Sequence, residues 1–154
     1  MSLAVAFVHA KTDAEFKRVR PMLTCRAVGC SACCNCDTPA HPEEIRALVP
    51  HVSPEAWRRV AEVAALPLME MLTRRCPLLD PGTRACTVYA HRPGVCRAYN
   101  STENPKHCDT AFGLQTVASM AEPGIAMQQA VDNVLPGGMA RFELMIPALA
   151  RLAP

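Results

Sequence analysis

The sequence predicts a mainly α, small single domain, residues 1–154, with helices packed around an irregular cysteine-rich metal-binding core and little or no sheet. Three observations carry this. Two segments open with strong helix-start signals. The cysteine-bearing stretch between residues 76 and 108 is rich in Pro, Gly and Arg rather than in alternating apolar residues. The tail is Ala-, Met- and Gln-rich. A chain of 154 residues with 50% hydrophobic and 19% charged residues has the composition of a folded domain. No apolar run approaches the roughly 18 uncharged residues of a membrane helix. Lys and Arg (16) nearly balance Asp and Glu (14), for a net charge of +2. That balance disfavours a nucleic-acid partner.

In chain order, residues 1–10 are apolar but lack a basic lead, and the apolar stretch lasts about seven residues before His9. That is the bottom edge of a secretory h-region, and with no basic lead we expect a cytoplasmic protein. Residues 38–48 read as a turn feeding a short helix, with Glu43 and Glu44 in its first turn suiting the positive dipole end. Ser53-Pro54-Glu55 is a second start: Ser as N-cap, Pro at the first helical position, then an acid. This helix runs through Trp57, Val60, Val63 and Ala64 toward Pro67, and an apolar turn from Leu68 to Thr73 leads into Cys76. Asp80-Pro81-Gly82-Thr83 is a turn, and Thr87-Val88-Tyr89 is a short strand candidate. Beyond Phe112, two or three short helices are expected, interrupted at Pro123-Gly124 and at Pro136-Gly137-Gly138. Residues 142, 145, 146, 149 and 152 line one face of a last helix over Met139–Leu152 that carries Pro147. This helical extension, about 112–152, is either a lid on the core or a surface for a protein partner.

Nine cysteines dominate the chemistry. Five lie between Cys25 and Cys36, in the pattern Cys25-x4-Cys30-x2-Cys33-Cys34-x-Cys36. Four follow at Cys76, Cys86, Cys96 and Cys108. In a reducing compartment such density points to thiolate–metal coordination rather than to disulfides or inert buried thiols. A C-x2-C step turns two thiolates toward one ion, as in zinc and iron–sulfur sites. The adjacent pair Cys33 and Cys34 has diverging side chains, so the two serve separate centres, or one ligates while the other is buried. The later cysteines are spaced too widely to form a site alone and must meet the first group in space.

The segments Cys30-Ser31-Ala32-Cys33-Cys34 and Cys76-Pro77-Leu78-Leu79, with Cys86-Thr87-Val88-Tyr89-Ala90-His91-Arg92-Pro93-Gly94-Val95-Cys96-Arg97-Ala98-Tyr99, resemble the CxxCxxCC family of zinc- or iron-chelating cysteine-cluster domains. The likeness spans about residues 25–108. It implies a core over that range and metal ligands at Cys25, Cys30, Cys33, Cys34, Cys76, Cys86, Cys96 and Cys108, with Cys36 an extra. The step from Cys25 to Cys30 is longer than the family's usual one. The implied cofactor is zinc or iron, an iron–sulfur cluster slightly preferred because the spacing is unlike a zinc ribbon or finger. Some relatives are linked to protein lysine methylation, but no glycine-rich cofactor loop is present here. A redox or protein-modifying enzyme, a zinc-stabilised interaction module, and a metal-buffering or delivery protein stand as alternatives to plain metal binding.

Such a centre carries negative charge, about −2 for one four-iron cluster on four thiolates and about −4 for two zinc ions on eight. Arg74, Arg75, Arg84, Arg92, Arg97 and Lys106 surround the second group, opposed only by Asp80, Glu103 and Asp109. Arg92 and Arg97 are expected to donate to sulfur or to loop carbonyls. Pro77 would shield the Cys76 sulfur, and Pro93 would fix a turn before Cys96. His91 and His107 are alternative ligands that default to the surface. His41 and His51 are expected to face solvent near helix starts. The methionines lack a copper-type box and read as core. Tyr89, Tyr99 and Trp57 read as aromatics packed around the centre.

Overall fold

The computed structural model describes residues 1–20, 34, 36, 38–98 and 121–154. Among these, seven α-helices and one two-stranded ladder build two adjoining cores, so the mainly α expectation holds. Helix α1 (Leu3–Val19) starts on Ser2, whose Oγ accepts from the Val5 N–H. It buries Val5, Val8 and Val19. The sequence marks no start there, because the amino-terminal apolar run shows no clean helical stripe. Strand β1 (Pro39–Ala40) precedes α2 (Pro42–Leu48), and a single 3-10 turn, Val49–His51, leads toward α3 (Pro54–Ala64). As predicted, Ser53 caps α3, its Oγ accepting from the Ala56 N–H at 3.2 Å. Helix α4 (Leu68–Leu72) follows, then the cysteine loops and α5 (Gly94–Ala98).

The tail differs from expectation in detail. Helix α6 (Ala121–Val134) runs through Pro123-Gly124 without interruption. Pro123 sits in the first turn, where backbone N–H groups have no intrahelical partner to lose. Gly137 and Gly138 do break the chain, both at positive φ (76° and 54°), and a 3-10 turn spans Gly138–Arg141. Strand β2 (Glu143–Leu144) pairs antiparallel with β1, Pro39 opposite Leu144. Only then does α7 (Met145–Ala150) begin, so the expected helix from Met139 is shortened by a turn and a strand pair.

The first core joins Ile45, Leu48, Val60 and Met71 to Ile146 and Leu149 of α7, with Trp57 packed against its edge. The second packs Val5 and Val8 against Met127, Ala130 and Val131 of α6, with Ala98 of α5. The apolar residues named from α6 and α7 are thus covered within the chain. Met71, Met127 and Met145 are core residues as expected, whereas Met69 is exposed. No helix among the described residues is long and apolar enough to cross a membrane.

A buried carboxylate joins the two cores. Glu44, only 1% exposed, accepts from the Gly94 N–H at 2.7 Å, from His9 Nε2 at 3.1 Å and from the His41 N–H at 3.4 Å. It therefore ties α1, α2 and α5 together. His41, expected at the surface, is 2% exposed. Its Nδ1 accepts from the Glu43 N–H, and its Nε2 lies 3.2 Å from the Pro136 carbonyl. Capping the helix requires the ring to fold back over α2, which carries it under the tail. His51 is exposed, as expected. At Gly94 an added Cβ would lie 2.8 Å from Met127 Cγ and 3.2 Å from Glu44 Oε1. Gly94→Ala is therefore expected to cost about 1–3 kcal/mol, read as a lowered urea midpoint at unchanged slope.

Candidate metal centre

Four of the eight predicted ligands, Cys34, Cys76, Cys86 and Cys96, lie in the described residues, as does Cys36. Cys25, Cys30, Cys33, Cys108 and the alternative ligand His107 lie outside them, as does Tyr99. The two cysteine groups meet through the backbone. The Cys76 N–H donates to the Cys34 carbonyl at 2.9 Å, and the Cys36 N–H donates to the Arg74 carbonyl at 3.1 Å. This antiparallel exchange sets Cys34 directly across from Cys76. Opposed residues of such a pair share a face, with Cβ atoms about 4.5–5.5 Å apart. Cys36, fully buried in the first core, donates its thiol to the Arg75 carbonyl at 3.2 Å.

Beyond Cys76 the chain turns back on itself. The Leu79 N–H bonds the Cys76 carbonyl, the Asp80 N–H bonds the Ala85 carbonyl, and Leu79 bridges to Cys86. The predicted turn forms at Asp80. Its Oδ1 accepts from the N–H groups of Gly82 and Thr83 and from the Thr83 hydroxyl, and Arg84 takes a left-handed φ of 58°. These donors hold the Asp80 carboxyl below its ordinary range. Thr87-Val88-Tyr89 is not a strand. Past the single Leu79–Cys86 bridge the backbone curls, with the Tyr89 N–H on the Cys86 carbonyl and the His91 N–H on the Val88 carbonyl, giving a 3-10 turn over Tyr89–His91. Tyr89 is 48% exposed rather than packed around the centre. Its ring faces outward and carries the Arg92 guanidinium 3.8 Å from its centroid. The His91 ring stacks on His51, the ring centroids 3.4 Å apart. Burial, then the neighbouring His51, pushes the His91 imidazole below its ordinary value.

In each loop a backbone amide favours the thiolate, that of Leu78 at Cys76 and that of Val88 at Cys86. Pro77 is buried beside them, as the shielding role requires. Burial pushes the Cys76 thiol well up, and the neighbouring sulfurs of Cys96, Cys36 and Cys86 push it further, while Leu78 opposes both. Burial likewise raises Cys86, against the Val88 amide and the Arg92 charge. A buried sulfur whose charge its neighbours disfavour, as at Cys76, is a donor that suits a bound cation. Among the described residues no three His, Cys, Asp or Glu side chains close around a single point.

Arginines hold the loops. Arg97, buried on α5, donates to the carbonyls of Arg92 and Ala90 and to Asp13 of α1. The expectation that it would serve loop carbonyls is met; Arg92 instead stacks on Tyr89. Arg59 of α3 donates to the carbonyls of Pro77 and Leu79. Nothing in the spacing around Arg59 or Asp13 marks their roles, and from sequence Glu44 reads only as a helix-dipole acid.

A family model described as "Putative zinc- or iron-chelating domain", named CxxCxxCC, matches residues 24–117, well over half of the chain. The chain belongs to the CxxCxxCC family. No curated protein and no solved structure matches it. Membership makes this a zinc- or iron-chelating domain and covers both cysteine groups.

Two outcomes follow from the geometry. Cys36 is fully buried, so the hydroxyl of Cys36→Ser is expected to cost about 1–3 kcal/mol, measured by chemical unfolding. Asp80 contributes stability above its unfolded value near about pH 4, and that contribution is lost as the pH falls through its lowered folded value. The gap in urea midpoint between the native chain and Asp80→Asn is therefore expected to be constant at neutral pH and to close on acidification.

Proposed function

We propose that cysteines from both segments hold one metal–thiolate assembly: Cys25, Cys30, Cys33 and Cys34 from the first, and Cys76, Cys86, Cys96 and Cys108 from the second. An iron–sulfur cluster is preferred to zinc. The observation that carries the reading is the backbone exchange that sets Cys34 across from Cys76. Amide donation to Cys76 and Cys86, and the arginines around their loops, further support it. Iron–sulfur clusters and zinc thiolates both use such amides to spread sulfur charge. The preference for iron rests on the ligand spacing and on the Cys76-Pro77 pair, a step familiar from cluster ligation. When bound, a cluster would supply one-electron chemistry, and closed zinc sites would supply folding energy. Cysteines at this density fit a reducing cytoplasm.

The test is elemental analysis of anaerobically purified, untagged protein together with its absorption spectrum. Iron with sulfide, and a band near about 400 nm, is the expected result. Colourless protein with about two zinc ions per chain would replace iron by zinc, and metal-free protein would overturn both. Cys34→Ser and Cys96→Ser are each expected to lose most of the metal; full retention in either counts against the ligand set.

A further inference from the structure

We propose that Arg59 is a positioning residue of the metal centre: from α3 it aims the Leu78 amide at the Cys76 sulfur. This rests on the metal-centre reading and extends it to a side chain outside the cysteine loops. Arg59 Nε donates to the Pro77 carbonyl at 2.9 Å, and its Nη2 donates to the Leu79 carbonyl at 3.3 Å. The two carbonyls flank Leu78, whose N–H serves Cys76. The Pro77 carbonyl and the Leu78 N–H belong to one planar trans peptide unit, in which they point in opposite directions. Gripping that oxygen from the α3 side therefore directs the N–H to the far side, where the sulfur lies. Cation, carbonyl, amide and sulfur form one polarised chain, and the guanidinium charge strengthens the N–H as a donor.

The second loop is held differently. Arg97 takes the Ala90 and Arg92 carbonyls, neither of which belongs to the peptide unit that serves Cys86. Orientation of a sulfur-serving amide by an arginine is thus a feature of the Cys76 loop. The fork of Arg59 is needed because a lysine, as a single point donor, holds one carbonyl and leaves the other.

The experiment uses the full chain and cobalt(II) alone as the probe, added anaerobically. It reads affinity by chelator competition and the sulfur-to-cobalt charge-transfer band by absorption. Arg59→Gln is expected to bind cobalt about 10–100-fold more weakly with a shifted band, and Arg59→Lys to fall between it and the native chain. Val60→Ala is the control. Val60 is the next residue of the same helix and fully buried, so its truncation lowers stability without touching either carbonyl and is expected to leave the band in place. Arg59→Gln with native affinity and native band would overturn the proposal, as would Val60→Ala reproducing its shift. If Arg59→Gln fails to fold by circular dichroism, Arg59→Lys decides: a shifted band supports the proposal and an unshifted one overturns it. A native chain with no thiolate–cobalt band would sink the metal-centre reading itself rather than the place of Arg59 within it.

Discussion

Two backbone hydrogen bonds, Cys76 to Cys34 and Cys36 to Arg74, decide what the rest of the chain can do. Between the paired segments lie α2, α3 and α4, which form one side of the first core together with α7. Packing those helices returns the chain to where it left, and these two bonds fix the register of the return. A slip of one residue would turn Cys76 to the opposite face from Cys34. With only two bonds, the register depends on what flanks them: the buried Cys36 on one segment, and the Leu78 and Leu79 turn on the other.

The described cysteines lie at the seam between the cores. Cys36, Cys76 and Cys86 pack with the first, whereas α5, which carries Cys96, packs with the second through Val95 and Ala98. Glu44 closes this seam by taking the Gly94 amide at the start of α5 and the His9 ring of α1. A buried carboxylate needs such donors, since desolvation without them is costly. Arg97 adds a second tie from α5 to α1 through Asp13. The cysteine loops, which have little regular structure of their own, are thus held by charged groups from three helices.

Local signals were legible in the sequence where a single residue does a single job. Ser53 and Pro54 start α3, Asp80 makes its turn, and Gly137-Gly138 breaks the tail, because capping and left-handed backbone are decided within a few residues. The cysteine groups and their need to meet were legible from spacing, and the family likeness holds. What escaped depends on tertiary context. His41 reads as a polar residue before a helix, but its cap folds the ring under a tail nearly a hundred residues on. Tyr89 reads as core, yet a 3-10 curl turns it outward. Pro123 reads as a breaker, and only its place in the first turn makes it harmless. Arg59 is one arginine among many until the loop carbonyls it grips are known.

The order in which the elements occur has a consequence for biogenesis. Helix α1 rests on α6, and the partners of α2 and α3 include α7, so each core pairs an early segment with a late one. Contacts this distant along the chain are slow to form, because loop-closure entropy precedes any gain. On the ribosome the apolar sides of α1 and α3 therefore emerge well before their covers, and the nine thiols appear while both cores are still open. If both cysteine groups share the proposed assembly, metal capture at that stage would shorten the effective loop between the halves and act as a kinetic staple.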